Sequence, residues 1–184
     1  MRSGLAWAAV MVALAAGCRG QGHWAAYPSA PSAQTTCNAA GLLLSAGPDI
    51  SARTGQNPDA IRLTNSGSRC VLDGYPVVRL KDAAGARIPF DISRSGDQMV
   101  TTHHAHPVVL SHGGSAWILL NKYRCDLGGR TAVREIVVRL SGAGRIGAMR
   151  VDDAGWAYCG RGDPGSTVHV SPFEPRLPAA LRQG

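Results

Sequence analysis

From Cys37 to Phe173 the apolar residues arrive in short runs, many of them β-branched, and each run is cut off by Gly, Asn, Asp or Pro. Punctuation of that kind leaves no length for an apolar stripe at helical spacing, so the chain is predicted to be all-β. The runs GLLLSAG, AIRLTNSG, CVLDG, PVVRLKD, ARIPFDIS, PVVLSHG, SAWILLNKY, AVREIVVRL, IGAMRV and STVHVSP give eight to ten candidate strands. Within PVVRLKD, alternation sets Val78, Leu80 and Asp82 on one side and Val77, Arg79 and Lys81 on the other. The following DAAGAR reads as a hairpin whose tip uses Gly85 for a positive φ. Strands with one apolar face bury it by stacking two sheets, so an antiparallel β-sandwich is expected.

The first residues have a different character. Residues 1–17 carry one early charge, Arg2, and then an apolar run from Leu5 to Ala16 that is short for a membrane span and ends in small residues before Cys18. This is the layout of an export signal. Two cleavage readings stand: the LAAGC ending at Cys18 resembles a lipobox, with Ala15 where Leu, Val or Ile is preferred, while Ala13-Leu14-Ala15 suits ordinary signal cleavage and a secreted product. Cysteine arithmetic favours the first. If Cys18 takes a lipid, Cys37, Cys70, Cys125 and Cys159 form two disulfides with no thiol left over, as an oxidising compartment requires. Those four cysteines allow three connectivities.

Residues 18–34, rich in Gly, Ala, Ser and Pro, read as a flexible tether. Its Trp24 and Tyr27 suit a membrane interface. Residues 35–175 then form one domain long enough for its own core, and 176–184 read as a tail. The expected location is the outer face of the cytoplasmic membrane, held by the lipid anchor.

The formal net charge is +7, and loss of Arg2 with the signal leaves +6. An anionic membrane surface or anionic envelope polymer is the neighbour such a charge suits. Export argues against nucleic acid as a partner, and no basic run is interleaved with aromatics.

The stretch from Leu63 to Gly85 resembles the domain of unknown function 4232 family, exported actinobacterial proteins and lipoproteins. The motif residues are Thr64, Asn65 and Gly67, then Cys70, Leu72, Gly74, Tyr75 and Pro76, then Asp82 and Gly85. Val109, Leu110, Gly113 and Ala116 fall in register with a second family segment, in which His112 replaces the usual proline. The resemblance implies an immunoglobulin-like sandwich with sequential disulfides, Cys37 to Cys70 and Cys125 to Cys159. It implies no reaction. On physical grounds Gly74 supplies backbone room after the cystine, Pro76 opens the next strand, and Tyr75 caps the core with its hydroxyl on a polar partner.

Four of the six histidines lie between positions 103 and 112. Pro107 pushes His106 towards extended backbone, where His104 and His106 share a side and His103 faces away. Two imidazoles so spaced suit Zn²⁺ or Cu²⁺, with His112 or Asp97 completing the shell if the chain folds back. A solvated loop is the plainer reading. The HGGS from His112 to Ser115 resembles an oxyanion-hole loop, yet the chain has no Gly-x-Ser-x-Gly elbow, so an envelope hydrolase is the weakest expectation. Arg161-Gly162-Asp163 sits among turn residues and reads as an exposed turn. By elimination, the expected function is that of a non-enzymatic binding module for an envelope protein or polymer, with an extracytoplasmic metal-binding protein as the alternative.

Overall fold

The structure, a computed structural model, describes residues 35–182 apart from positions 127 and 129. The expected signal 1–17, the candidate lipidation residue Cys18 and the whole expected tether 18–34 with Trp24 and Tyr27 lie outside the described residues.

Among the described residues twelve strands carry the fold: β1 (Leu42–Ala46), β2 (Gln56–Asn65), β3 (Cys70–Leu72), β4 (Val77–Lys81), β5 (Asp91–Ser93), β6 (Val108–Leu110), β7 (Ser115–Tyr123), β8 (Thr131–Ala132), β9 (Glu135–Leu140), β10 (Ala143–Arg150), β11 (Ala157–Tyr158) and β12 (Thr167–Val170). The larger sheet runs β1-β2-β7-β12-β5 and the smaller β10-β9-β4, with β3 paired to β6 and β8 to β11. The expected all-β sandwich is therefore what forms. Pairing departs from antiparallel at the edge, where β5 runs parallel to β12, and in an isolated parallel bridge between Thr36 and Val71.

Alternation explains the core. Ile61 and Leu63 on β2, Ile118 and Leu120 on β7, Val78 and Leu80 on β4, and Ile136 and Val138 on β9 all belong to one cluster, joined by Trp156 and Phe173. On β4 the neighbours Val77 and Lys81 are half-buried and Arg79 is exposed, as the sequence predicts. Gly85 has φ 78° and the Asp82 carboxylate accepts from the amides of Ala84 and Ala86, which closes the hairpin tip.

The ladder between β2 and β7 runs in unbroken register from Gln56 opposite Tyr123 to Thr64 opposite Ser115. β1 covers β2 only as far as Ile61. Beyond that point Pro58 lies in the strand at an open edge. The amide of Gln56 and the carbonyl of Ala60 both turn away from β7, to Arg53 and Gly47, so the donor that Pro58 lacks is one the ladder does not use.

The second face of β7 is buried as well. Leu119 packs with Ala60, Val100 and Ala180, and Ile50, Leu177 and Leu181 lie against that cluster. Within the stretch 176–184 read from sequence as a tail, residues 176–182 are part of the fold. A single helical turn, α1 (Leu177–Ala180), ends in a bridge between Leu181 and Val100, and Ala180 is fully buried. The small apolar pair Ala179-Ala180 followed by leucine was the overlooked signal.

Both disulfides are sequential, Cys37–Cys70 and Cys125–Cys159. The register places them at opposite ends of the β2–β7 ladder, Cys70 beyond Asn65 and Cys125 beyond Tyr123.

Candidate functional site

The histidines that cluster in sequence do not all meet: His103 and His106 both act on Glu174, while His112 has a different partner. His103, His104 and His106 are exposed in an irregular stretch, while His112 sits in the turn before β7 and meets the Gly67 carbonyl through Nδ1 at 3.2 Å. Asp97 faces elsewhere. Its Oδ1 accepts from the amides of Met99 and Val100 at 2.7 Å each, and its Oδ2 accepts from the Asn121 side chain. Among the described residues no three His, Cys, Asp or Glu side chains converge in a metal-holding group.

His106 has a different neighbour. Its Nε2 stands 3.7 Å from Oε2 of Glu174, whose side chain is 1% exposed. Burial pushes the Glu174 carboxyl above the usual carboxylate range, and the imidazoles of His106 and His103 pull it part of the way back. The loop thus partly screens a buried acid that sequence reading overlooked. Glu174 follows the last strand, outside any alternating pattern, and the sequence carried no signal for it.

The motif residues do structural work. Asn65, 2% exposed, donates through Nδ2 to the carbonyls of Ser68, Leu110 and Ser111 and accepts through Oδ1 from the Gly67 amide. It ties the turn after β2 to the turn before β7. Tyr75 is half-buried, with its hydroxyl 3.3 Å from the Arg94 carbonyl and the Arg94 guanidinium 5.2 Å over its ring. Gly74 is needed for a reason other than room: a Cβ there would meet nothing within 4 Å, but φ is 81°. Arg161-Gly162-Asp163 is a turn, and its Asp163 caps the following 3-10 turn by accepting from the Gly165 amide at 2.8 Å.

Two further features emerge from the strands. On the outward face of the smaller sheet, Lys81 lies opposite Glu135, Arg79 opposite Val137 and Val77 opposite Arg139, with Arg145 opposite Arg139 and Arg150 opposite Glu135 on the other side. Glu135 pairs with Lys81 at 3.1 Å and Arg145 at 3.2 Å. Among the described residues Arg79, Arg139 and Arg150 have no ion-pair partner. Val137 is only 4% exposed yet belongs to neither core cluster, as expected where long basic stems lie across a strand.

The other feature is Lys122, which is fully buried on β7. Its ammonium donates to the carbonyls of Tyr123 at 2.6 Å and Gly155 at 3.2 Å, and stands 3.9 Å from Sγ of Cys159. Burial draws its pKa down to about 8, while Asp163 and Asp153 oppose the shift. Alternation from Ile118 through Leu120 already aims Lys122 inward, so this signal was present in the sequence.

Together these features define a disulfide-bonded β-sandwich with a basic sheet face. The model of the domain of unknown function DUF4232 matches residues 37–174. The chain belongs to that family. No curated protein and no solved structure matches it.

Proposed function

We propose that the protein is a non-enzymatic, lipid-anchored module on the outer face of the cytoplasmic membrane that holds an anionic polymer of the cell envelope. One observation carries the reading: Arg79, Lys81, Arg139, Arg145 and Arg150 share one sheet face with Glu135, and carboxylates gather only at its Arg150 end, where Asp82 and Asp152 line a recess with Glu135. A face of that charge attracts phosphate- or carboxylate-bearing chains at long range, and guanidinium groups grip them in forked hydrogen bonds. Two disulfides and an export-type N-terminus fit a location outside the cytoplasm.

The test is binding of a poly(glycerol phosphate) polymer to the purified protein, measured by calorimetry at rising salt. Affinity should fall steeply with ionic strength and drop at least tenfold in Arg79→Ser/Arg139→Ser. Binding that ignores salt, or that survives the double substitution, would overturn the reading. Palmitate labelling should likewise be lost in Cys18→Ser, and labelling that persists there refutes the anchor.

A further inference from the structure

The Cys125–Cys159 bond differs from a passive staple in three respects. Its two cysteines are unequally covered: Cys159 is 2% exposed, whereas Cys125 is only half-buried. The buried sulfur faces a cation, because Lys122 is fully enclosed with its ammonium 3.9 Å from Cys159 Sγ. The chain neighbours of Cys125, Arg124 and Asp126, line a recess of about 350 Å³ together with Thr54, Gly55, Tyr123 and Pro164. In the other disulfide Cys37 and Cys70 are 2% and 7% exposed, within the apolar core cluster.

Thiol–disulfide exchange needs an accessible sulfur to attack and a partner sulfur that leaves as a stabilised thiolate. A fixed ammonium beside the leaving sulfur supplies the second condition, as neighbouring cations do for thiolates generally. We infer that Cys125–Cys159 is a thiol-exchange site that takes a dithiol reductant at Cys125, with Lys122 stabilising the departing Cys159 thiolate.

In the forward step a thiolate of the dithiol attacks Cys125 Sγ. A new S–S bond joins reductant and Cys125, the Cys125–Cys159 bond breaks, and its electron pair departs on Cys159 Sγ beside Lys122. The second thiol of the reductant, deprotonated, then displaces Cys125, which leaves as a thiolate and takes up a proton from solvent. The dithiol ends as a disulfide and the protein has gained two electrons. The opened segment is a built one: the Cys159 amide donates to Ser166 Oγ at 3.0 Å, and a Cβ at Gly165 would come within 2.5 Å of Cys159 Sγ.

The experiment treats the full oxidised chain with dithiothreitol at near-neutral pH, quenches with N-ethylmaleimide, and follows each cysteine peptide by mass spectrometry. Cys125–Cys159 should open roughly tenfold or more faster than Cys37–Cys70, as reactivity follows access and leaving-group stability. Glutathione, a monothiol, should be trapped on Cys125. Lys122→Met should slow opening several-fold while Lys122→Arg restores it. Equal rates for the two bonds, an adduct on Cys159, or full-speed opening in folded Lys122→Met would each overturn the inference. If Lys122→Met does not fold, the regiochemistry in the unaltered protein decides.

Discussion

The two ends of the β2–β7 ladder are stapled alike and surrounded differently. Each disulfide closes a loop of nearly equal length, with separations of 33 and 34 residues, so loop entropy alone gives both about 3 to 4 kcal/mol. At one end Cys37 and Cys70 sit among apolar side chains beside Asn65, an amide whose polar atoms are all spoken for. At the other, charge collects: Lys122 is enclosed, and Asp153 and Asp163 act on it. Asp59 on β2 belongs to this end too, its carboxyl pushed up to about 6 by burial and by the charges of Asp153 and Asp49. Equal cross-links in unequal surroundings separate what a bond contributes to the denatured state from what it does in the native one.

The sharpest way to break the comparison is to remove each staple. Cys37→Ala/Cys70→Ala should cost about 4 kcal/mol or more in urea unfolding, because the apolar packing around the pair is lost along with the cross-link. Cys125→Ala/Cys159→Ala should cost about 3 kcal/mol, and an equal or larger loss there would mean that the charged end is as tightly packed as the apolar one.

Asn65→Leu comes next. It takes the side-chain donor from the carbonyls of Ser68 and Leu110 and the acceptor from the Gly67 amide, while the Ser111 carbonyl keeps the Gly114 amide, and each buried polar group left without a partner costs on the order of 1–3 kcal/mol. A loss of about 3 kcal/mol is expected, and less than about 1 kcal/mol would show that water takes the place of the amide.

Lys122→Met should cost on the order of 1–2 kcal/mol, because the carbonyls of Tyr123 and Gly155 lose their donor while the ammonium no longer has to be buried. The smallest effect concerns Asp59. Its pKa is higher in the folded protein than its ordinary 3.8, so the folded state binds the extra proton. Stability should therefore fall as pH rises from about 4 through about 6. Asp59→Asn should flatten the midpoint temperature across that window, and an unchanged slope would assign it to Glu174, whose carboxyl is shifted in the same direction.

Strands were readable wherever one face is dry and the other wet, as on β4, where burial alternates residue by residue. The pairing of β8 with β11 was not, because two residues per strand cannot display a period. The strand candidate AIRLTNSG began only at Ala60, whereas β2 starts at Gln56, because Pro58 breaks a strand pattern and only the missing β1 neighbour makes it harmless. The histidines show the reverse error. Closeness in sequence sets no direction for side chains in an irregular segment, and His112 and His106 end against different partners. Lys122 was legible by alternation, whereas the carboxylate under His106 depends on where the chain turns after β12.

The last helical turn places Ala180 and Leu181 on the far face of β7, against Leu119 and Val100. Synthesis proceeds from the N-terminus, so this plug appears only after every strand has been made. Until then the back of the central strand stays open and wet. The fold is shut from behind, and the timing of that closure belongs to residues that follow the last strand.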